Sequence, residues 1–359
     1  MSRLTQLAAL MAAFPGEVSH PAQFAKGILN ADTSAKVMNA YTVGNPAGIA
    51  GAGFTVDVYE QISSRAYDVK YPEILWSQFM PAAGIDTSVS PGARFASARV
   101  NDWRGKGAFR AAVGKDIPTV DVSMGKITVP LEAGGVSAHV DIDELRSVAF
   151  GFEGMNLLTA KGAAMRLAYE RHREQVFFYG YSGLGFNGYI ATPNVPTTTA
   201  ATKAATGTTW AVATPAEIVK DVIAAVTAVV TNTSDVFRPN RIALPLAQWL
   251  QISGMNIGGT AGSLQNESVM SYLKRTLPEV TGQAVEIVAL RYLAGAGAGS
   301  TNRMIVETVN ADTFYLPDSV PFNMLPPQDD QYSTRLYADY KFGGLLRPWP
   351  NSALFMDGI

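Results

Sequence analysis

The sequence predicts an α+β fold, and three observations carry that prediction. Residues 153–195 hold one long helical pattern that a glycine closes, then a tight glycine turn and a short extended run. Residues 95–131 hold two extended runs joined by a turn-like tip. Residues 214–327 alternate short helices with short strands, which makes a second α+β unit.

Composition bounds the rest. A chain of 359 residues suggests about two domains. Hydrophobic residues make up 47% and charged residues 16%, against about 25% charged in a typical globular chain. A chain so short of charge is either a large compact enzyme or one that hides surface against other subunits, since interface cores are depleted of charge. Composition leaves these two even. The net charge of −2 offers no basic footprint for tight nucleic-acid binding. With no cysteine, neither disulfides nor thiolate metal sites hold the fold. No apolar run reaches the ~18 residues that a membrane helix needs.

Residues 1–55 read as an arm, with one short amphipathic helix ending at Pro15 and Gly16. Residues 44–53 are too rich in glycine for a regular element. Such a segment buries too little apolar area alone and becomes ordered on another surface. In 56–80, Tyr59, Ile62, Tyr67, Ile74, Leu75, Trp76 and Phe79 are core candidates. Residues 95–109 form the first strand of a hairpin, with Phe95, Val100, Trp103 and Phe109 as its few large apolar residues. A tip at 111–118 leads to the second strand, 119–131. There Val120, Val122 and Met124 share one face, and Ile127, Val129 and Leu131 follow after Gly125. So little apolar content in the first strand predicts a hairpin that projects from the body. An isolated hairpin is marginal in water, so this one requires a partner surface. Residues 136–142 read as a further strand. Asp141, Asp143 and Glu144 read as a helix cap in preference to a metal site.

Leu158, Gly162, Met165, Tyr169, His172, Val176 and Tyr179 recur at threes and fours and draw one stripe along a helix over 155–179. At 1.5 Å per residue it is about 37 Å long, a spine. His172 on this stripe reads as a packing residue. Arg166, Glu170, Arg173 and Glu174 lie off the stripe, where they are expected to pair along the helix surface. Residues 183–188 fit G-x-G-x-x-G, but dinucleotide binding requires a strand before the glycines and a helix after them. Here a helix comes first, so the glycines are expected to make a tight reversal. Residues 196–209 read as a polar linker. Thr214, Pro215 and Glu217 start a helix whose apolar face is Ile218, Val222, Ala225, Val226 and Val229. Strands over 241–244, 284–290 and 303–309, and helices over 246–252 and 267–276, complete the second unit, with Pro278 ending the last helix and 294–300 a flexible surface loop. Tyr332, Leu336, Tyr340 and Phe342 mark a last long strand that returns to the first unit.

No chemistry emerges. His20, His139 and His172 are far apart, and Asp329 and Asp330 beside Pro326 and Pro327 read as a solvated turn. Neither a G-x-S-x-G elbow nor a Walker A loop occurs. The sequence offers no catalytic, cofactor-binding or metal-ligating set, and no enzyme or cofactor is expected.

Three stretches in their order, AVGKDIPTVDV leading to VDIDEL, AAMRLAYERHREQVFFYG with GLGFNGYIATPNV, and RLYADYKFGGLLRPWPNSALFMDGI, resemble the major capsid protein of tailed bacteriophages. The likeness is to the phage structural-protein branch and covers about 56–359; encapsulin shells share the fold. The resemblance implies an N-terminal arm (1–55), a peripheral domain (56–92, 132–213 with the spine helix at about 155–179, and 328–359), an extended loop formed by the long β-hairpin (93–131) and an inserted axial domain (214–327). It implies a structural subunit that self-assembles, as hexamers and pentamers, into an icosahedral shell around double-stranded viral DNA with weak, non-specific contact. Portal and scaffold or decoration proteins are further expected partners, no membrane is involved, and the implied location is the virion, assembled in the host cytoplasm. The short start implies no large N-terminal scaffolding region to be cleaved. Arg99, Trp103, Arg104, Lys106, Arg110 and Lys115 on the loop are expected to contact an adjacent subunit. Some relatives join a loop lysine to a neighbour's asparagine, but nothing marks Lys106, Lys115 or Lys126 as reactive, and that bond is not expected. The competing readings are an encapsulin-type nanocompartment shell and a soluble α+β enzyme.

Overall fold

In the computed structural model, residues 71–81, 84–106, 119–151, 157–204, 207–258 and 267–359 are described. The arm at 1–55, Tyr59, Ile62 and Tyr67, the hairpin tip at 111–118, and Phe109, Arg110 and Lys115 lie outside them. Apart from Tyr71, everything described belongs to one unit, Pro72–Ile359.

The chain enters through a short helix, α1 (Trp76–Phe79), and a short strand, β1 (Ile85–Asp86). Strand β2 (Phe95–Arg104) then pairs antiparallel with β3 (Asp121–Asp141). Strand β3 is 21 residues long, so the separate strand expected at 136–142 is its continuation. Helix α2 (Ile142–Gly151) follows directly, and the Glu144 side chain bonds back to the Asp141 backbone, as a cap should. Lys161 also pairs with Glu144 and donates to the His139 carbonyl at 2.6 Å. The Glu144 carboxyl is therefore held below its usual range, first by the Lys161 hydrogen bond.

Helix α3 (Leu157–Tyr179) is the spine. At its end, β4 (Gly180–Tyr181) and β5 (Phe186–Asn187) pair as a two-residue hairpin around the glycine turn, and no α-helix follows. The reversal depends on close backbone approach. Gly180 has φ 72°, and a Cβ on Gly188 would lie 2.4 Å from the Tyr179 carbonyl carbon.

After β6 (Thr197–Thr199) come α4 (Pro215–Asn232), β7 (Arg241–Leu244), α5 (Leu246–Gly254), the short strands β8 (Asn256–Ile257) and β9 (Glu267–Ser268), and α6 (Val269–Thr281). Strands β10 (Glu286–Ala289), β11 (Arg303–Glu307), β12 (Leu316–Met324), β13 (Gln328–Asp330), β14 (Ser333–Gly343) and β15 (Ala353–Asp357) complete the chain. Helix α4 has the full capping box, and the five apolar positions read from its sequence are all buried. Pro278 does not end α6. It sits inside the helix, and Gly282 (φ 73°) caps the end one turn later.

Two sheets result. One runs β1-β12-β14-β3-β2, with β13 beside β14; the other runs β10-β7-β11-β15-β6. Pairing thus sends β12 to the first sheet and the terminal strand β15 to the second. The Thr-rich stretch expected as a linker supplies β6, which pairs parallel with β15. That stretch is also tied down in the interior. Lys203 pairs with Asp221 of α4, both buried, and Trp210 Nε1 donates to the same carboxylate at 3.0 Å. The 294–300 loop lies on the surface and is pinned where the Ala298 amide donates to Asp357 at 3.0 Å.

Helix α3 joins the two cores. Met165, Tyr169 and Val176 pack on the first sheet with Leu336, Ala338, Tyr340 and Phe342. Phe177 and Phe178 enter the core of the second with Ile305, Leu290 and Phe355. This double contact overturns part of the sequence reading. Arg173 and Glu174 are buried, not displayed on the helix surface. Arg173 pairs with Asp318 at 3.0 Å, donates to the Tyr169 hydroxyl at 2.6 Å and lies over the Trp76 ring. Glu174 accepts from the Leu75 amide at 2.8 Å and from Arg291 at 3.0 Å, and Glu170 accepts from Trp76 Nε1 at 3.0 Å. These acids and bases fasten the 72–79 segment to the spine instead of pairing with one another. His172 is exposed, its ring centroid 6.1 Å from that of Tyr340 and 5.9 Å from that of Phe342, and Tyr179 is exposed as well.

In the second core, Glu307 is the charged centre. It accepts from the Tyr189 hydroxyl at 2.6 Å, from Arg241 at 2.9 and 2.6 Å, and from Arg347 at 2.9 Å. Burial works against its charge, but Arg241 and Arg347 outweigh that and hold its carboxyl below the usual range.

Candidate subunit-contact hairpin

The register of the β2–β3 ladder sorts the hairpin side chains by face. Residues directly opposite point the same way, and successive residues alternate. Phe95, Arg99, Asn101 and Trp103 therefore share a face with Pro130, Lys126, Met124 and Val122. The other face carries Ala96, Ala98, Val100, Asp102 and Arg104 opposite Val129, Ile127, Gly125, Ser123 and Asp121.

The two faces differ in what covers them. On the second, Ala96 and Val129 are buried at the base, and Ile127, Ala98 and Val100 are half-buried. On the first, every residue from Phe95 to Trp103 and from Val122 to Thr128 is exposed. Trp103 is 75% and Met124 76% exposed, and Phe95 and Val122 are also in solvent. The apolar pattern of β3 changes phase at Gly125 without any break in the ladder. Its inner half turns hydrophobic residues toward the subunit's own core. Its outer half turns them toward nothing among the described residues.

The residues expected to make contact therefore divide. Arg99 and Trp103 sit on the exposed face. Arg104 is on the opposite face, paired with Asp102 at 2.5 Å near the outer end of the ladder. Lys106 is exposed just past that end. Lys126 shares the exposed face with Arg99, a placement that sequence reading did not give: its alternation with Met124 and Val122 was visible, but the side on which Arg99 lay was not. Among the described residues no group of three or more His, Asp or Glu is placed to hold a metal ion, and no helix is long and apolar enough to cross a membrane.

A spine helix spanning two sheets, with a two-stranded ribbon that keeps an uncovered apolar face, defines a subunit built to be completed by other subunits. The comparisons give that class its family. The model of the major capsid protein family matches residues 105–359, and the chain belongs to that family. Among solved structures, the capsid of the myovirus phage XM1 is 13% identical, with a TM-score of 0.68 over 86% of this chain and 100% of that one. The capsid of a native GTA particle is 13% identical, with a TM-score of 0.54 over 87% and 98%. Mycobacterium phage Che8 gives 11% identity and a TM-score of 0.52 over 83% and 96%. At such identities the likeness is one of fold, and the fold is that of tailed-phage capsid subunits. No curated protein matches by sequence. The protein is a structural subunit that assembles into a capsid shell and resides in the virion.

Proposed function

We propose that each subunit reaches its neighbours through the β2–β3 hairpin, the extended loop of the shell, and that the exposed face bearing Arg99 and Trp103 makes that contact. The single observation behind this is the uncovered apolar face: a soluble subunit gains nothing from Trp103, Met124 and Val122 in water, whereas a shell buries them. Arg104, Lys106, Arg110 and Lys115 serve the same contact. The domain plan that fits has the arm at 1–55, the peripheral domain at 56–92, 132–213 and 328–359, the extended loop at 93–131 and the axial domain at 214–327. The subunit works without catalysis. Its shell of hexamers and pentamers encloses double-stranded DNA, which a chain of net charge −2 touches weakly and without sequence preference. Portal and scaffold or decoration proteins are its further partners, and assembly takes place in the host cytoplasm.

Replacing 100–122 by a short turn tests the hairpin. Small soluble species in place of megadalton particles are expected by sizing and negative-stain microscopy. Normal shells from that variant would show that the hairpin is not the contact.

A further inference from the structure

Arg99 and Lys126 stand directly opposite one another on the exposed hairpin face. Like charges in opposed positions repel, and among the described residues neither has a carboxylate within ion-pair distance. Trp103, Met124 and Val122 flank them on the same face. A cation pair framed by apolar groups is complementary to an anionic, partly apolar partner.

The same chain carries such a surface. Every residue of 323–332, the tongue between β12 and β14, is exposed. It contains Asp329 and Asp330, the exposed apolar residues Met324, Leu325 and Tyr332, and no lysine or arginine. Among the described residues Asp329 accepts only from the Thr334 hydroxyl at 2.8 Å, and Asp330 reaches Arg335 at 3.4 Å with both groups largely in water. The two surfaces cannot meet within one copy. Asp330 pairs with Ser333, and Ser333 with Asp141. Fifteen residues of unbroken strand, about 50 Å, separate Asp141 from Lys126.

We infer that the Arg99–Lys126 face of one copy receives the Asp329–Asp330 tongue of a second copy, in a head-to-tail contact. The contact joins two different patches, so it is heterologous and closes only through the symmetry of the whole assembly. The tongue supplies the two negative charges that the cation pair lacks, and Leu325 and Tyr332 meet the apolar groups beside it. The inference rests on the reading that the hairpin reaches a neighbouring copy, and it adds where the hairpin lands.

The chain has no cysteine, so an introduced pair reports cleanly. Assembled particles carrying both Lys126→Cys and Asp330→Cys are expected to give disulfide-linked chains on a non-reducing gel, with neither single variant doing so. Absence of that ladder from assembled particles would overturn the contact. Charge reversal supplies the second arm. Arg99→Glu with Lys126→Glu, and separately Asp329→Lys with Asp330→Lys, should each lower shell-sized material about tenfold, and the four changes together should restore it. Particles that form normally with the Asp329 and Asp330 reversal would sink this docking while leaving the hairpin's role to the 100–122 replacement. A loss confined to the Arg99 and Lys126 variant, seen as reduced DNA retention, would assign the cation pair to nucleic-acid phosphates instead.

Discussion

Trp103→Ala separates assembly from folding. Trp103 is 75% exposed in the subunit. A tryptophan side chain carries about 250 Å², so about 190 Å² of it stays in water until a neighbour covers it. At about 25 cal/mol per Å², full burial is worth up to 4–5 kcal/mol. Truncation removes most of this, and a cost near 3 kcal/mol per contact, roughly a hundredfold in its affinity, is the expectation for a buried aromatic anchor. The subunit itself loses almost nothing, because a surface substitution away from any special feature stays within about 0.5 kcal/mol. Static light scattering against concentration should place the onset of assembly well above that of the parent chain, while the urea midpoint of the unassembled subunit is unchanged. A variant that assembles at the parent concentration, or that unfolds much more easily, would refute the reasoning: the first outcome means the ring is never covered, the second that it is already part of a core.

Three further outcomes follow from the interior. Glu307→Leu leaves the Arg241 and Arg347 guanidinium groups buried without their shared counter-charge, so chemical denaturation should show a loss of about 3–5 kcal/mol; an unchanged midpoint would contradict the charged-centre account. Gly188→Ala puts a methyl group 2.4 Å from the Tyr179 carbonyl carbon, and the chain should accumulate in the insoluble fraction; a soluble, normally melting variant would mean the reversal is slack. The Glu217 carboxyl is held at about 2, first by the Thr214 amide and then by that of Ala204. A depressed carboxyl contributes stability above its ordinary pKa and loses it as the pH falls through the folded value. Melting temperature should therefore carry a Glu217 component that vanishes between about pH 4.5 and 2, and Glu217→Gln should flatten that interval only; an unaltered acid profile would remove the cap from the account.

What the sequence disclosed was local. The start of α4 was legible because Thr214, Pro215 and Glu217 are neighbours and their hydrogen bonds close within one turn. The two hairpin strands and the glycine reversal were legible for the same reason. Buried polar pairs were not. Arg173 reads like any helix-surface cation until Asp318, 145 positions on, comes to lie beside it. The Thr-rich stretch reads as a linker until β15 offers it an edge. Pro278 reads as a stop because it lacks an N–H, but Leu277 beside it is buried and the helix carries on to Gly282. At the hairpin, alternation marked the faces of each strand, but only the register places Lys126 opposite Arg99. The phase change at Gly125 carried the meaning: it separates the half of β3 that the subunit covers from the half it leaves open.

That single strand also has a mechanical consequence. Over 131–141 it is bonded edge to edge with β14 by an uninterrupted register. The register is locked where the Tyr340 ring sits over Gly134, leaving no room for even a Cβ. Over 121–130 its one strand partner among the described residues is β2. A load applied at the tip along the strand arrives at the clamped half as shear, which strains all its hydrogen bonds together, and not as peeling, which would open them one at a time. A ribbon held at its outer end would therefore pass tension along β3 to the sheet beneath the spine helix.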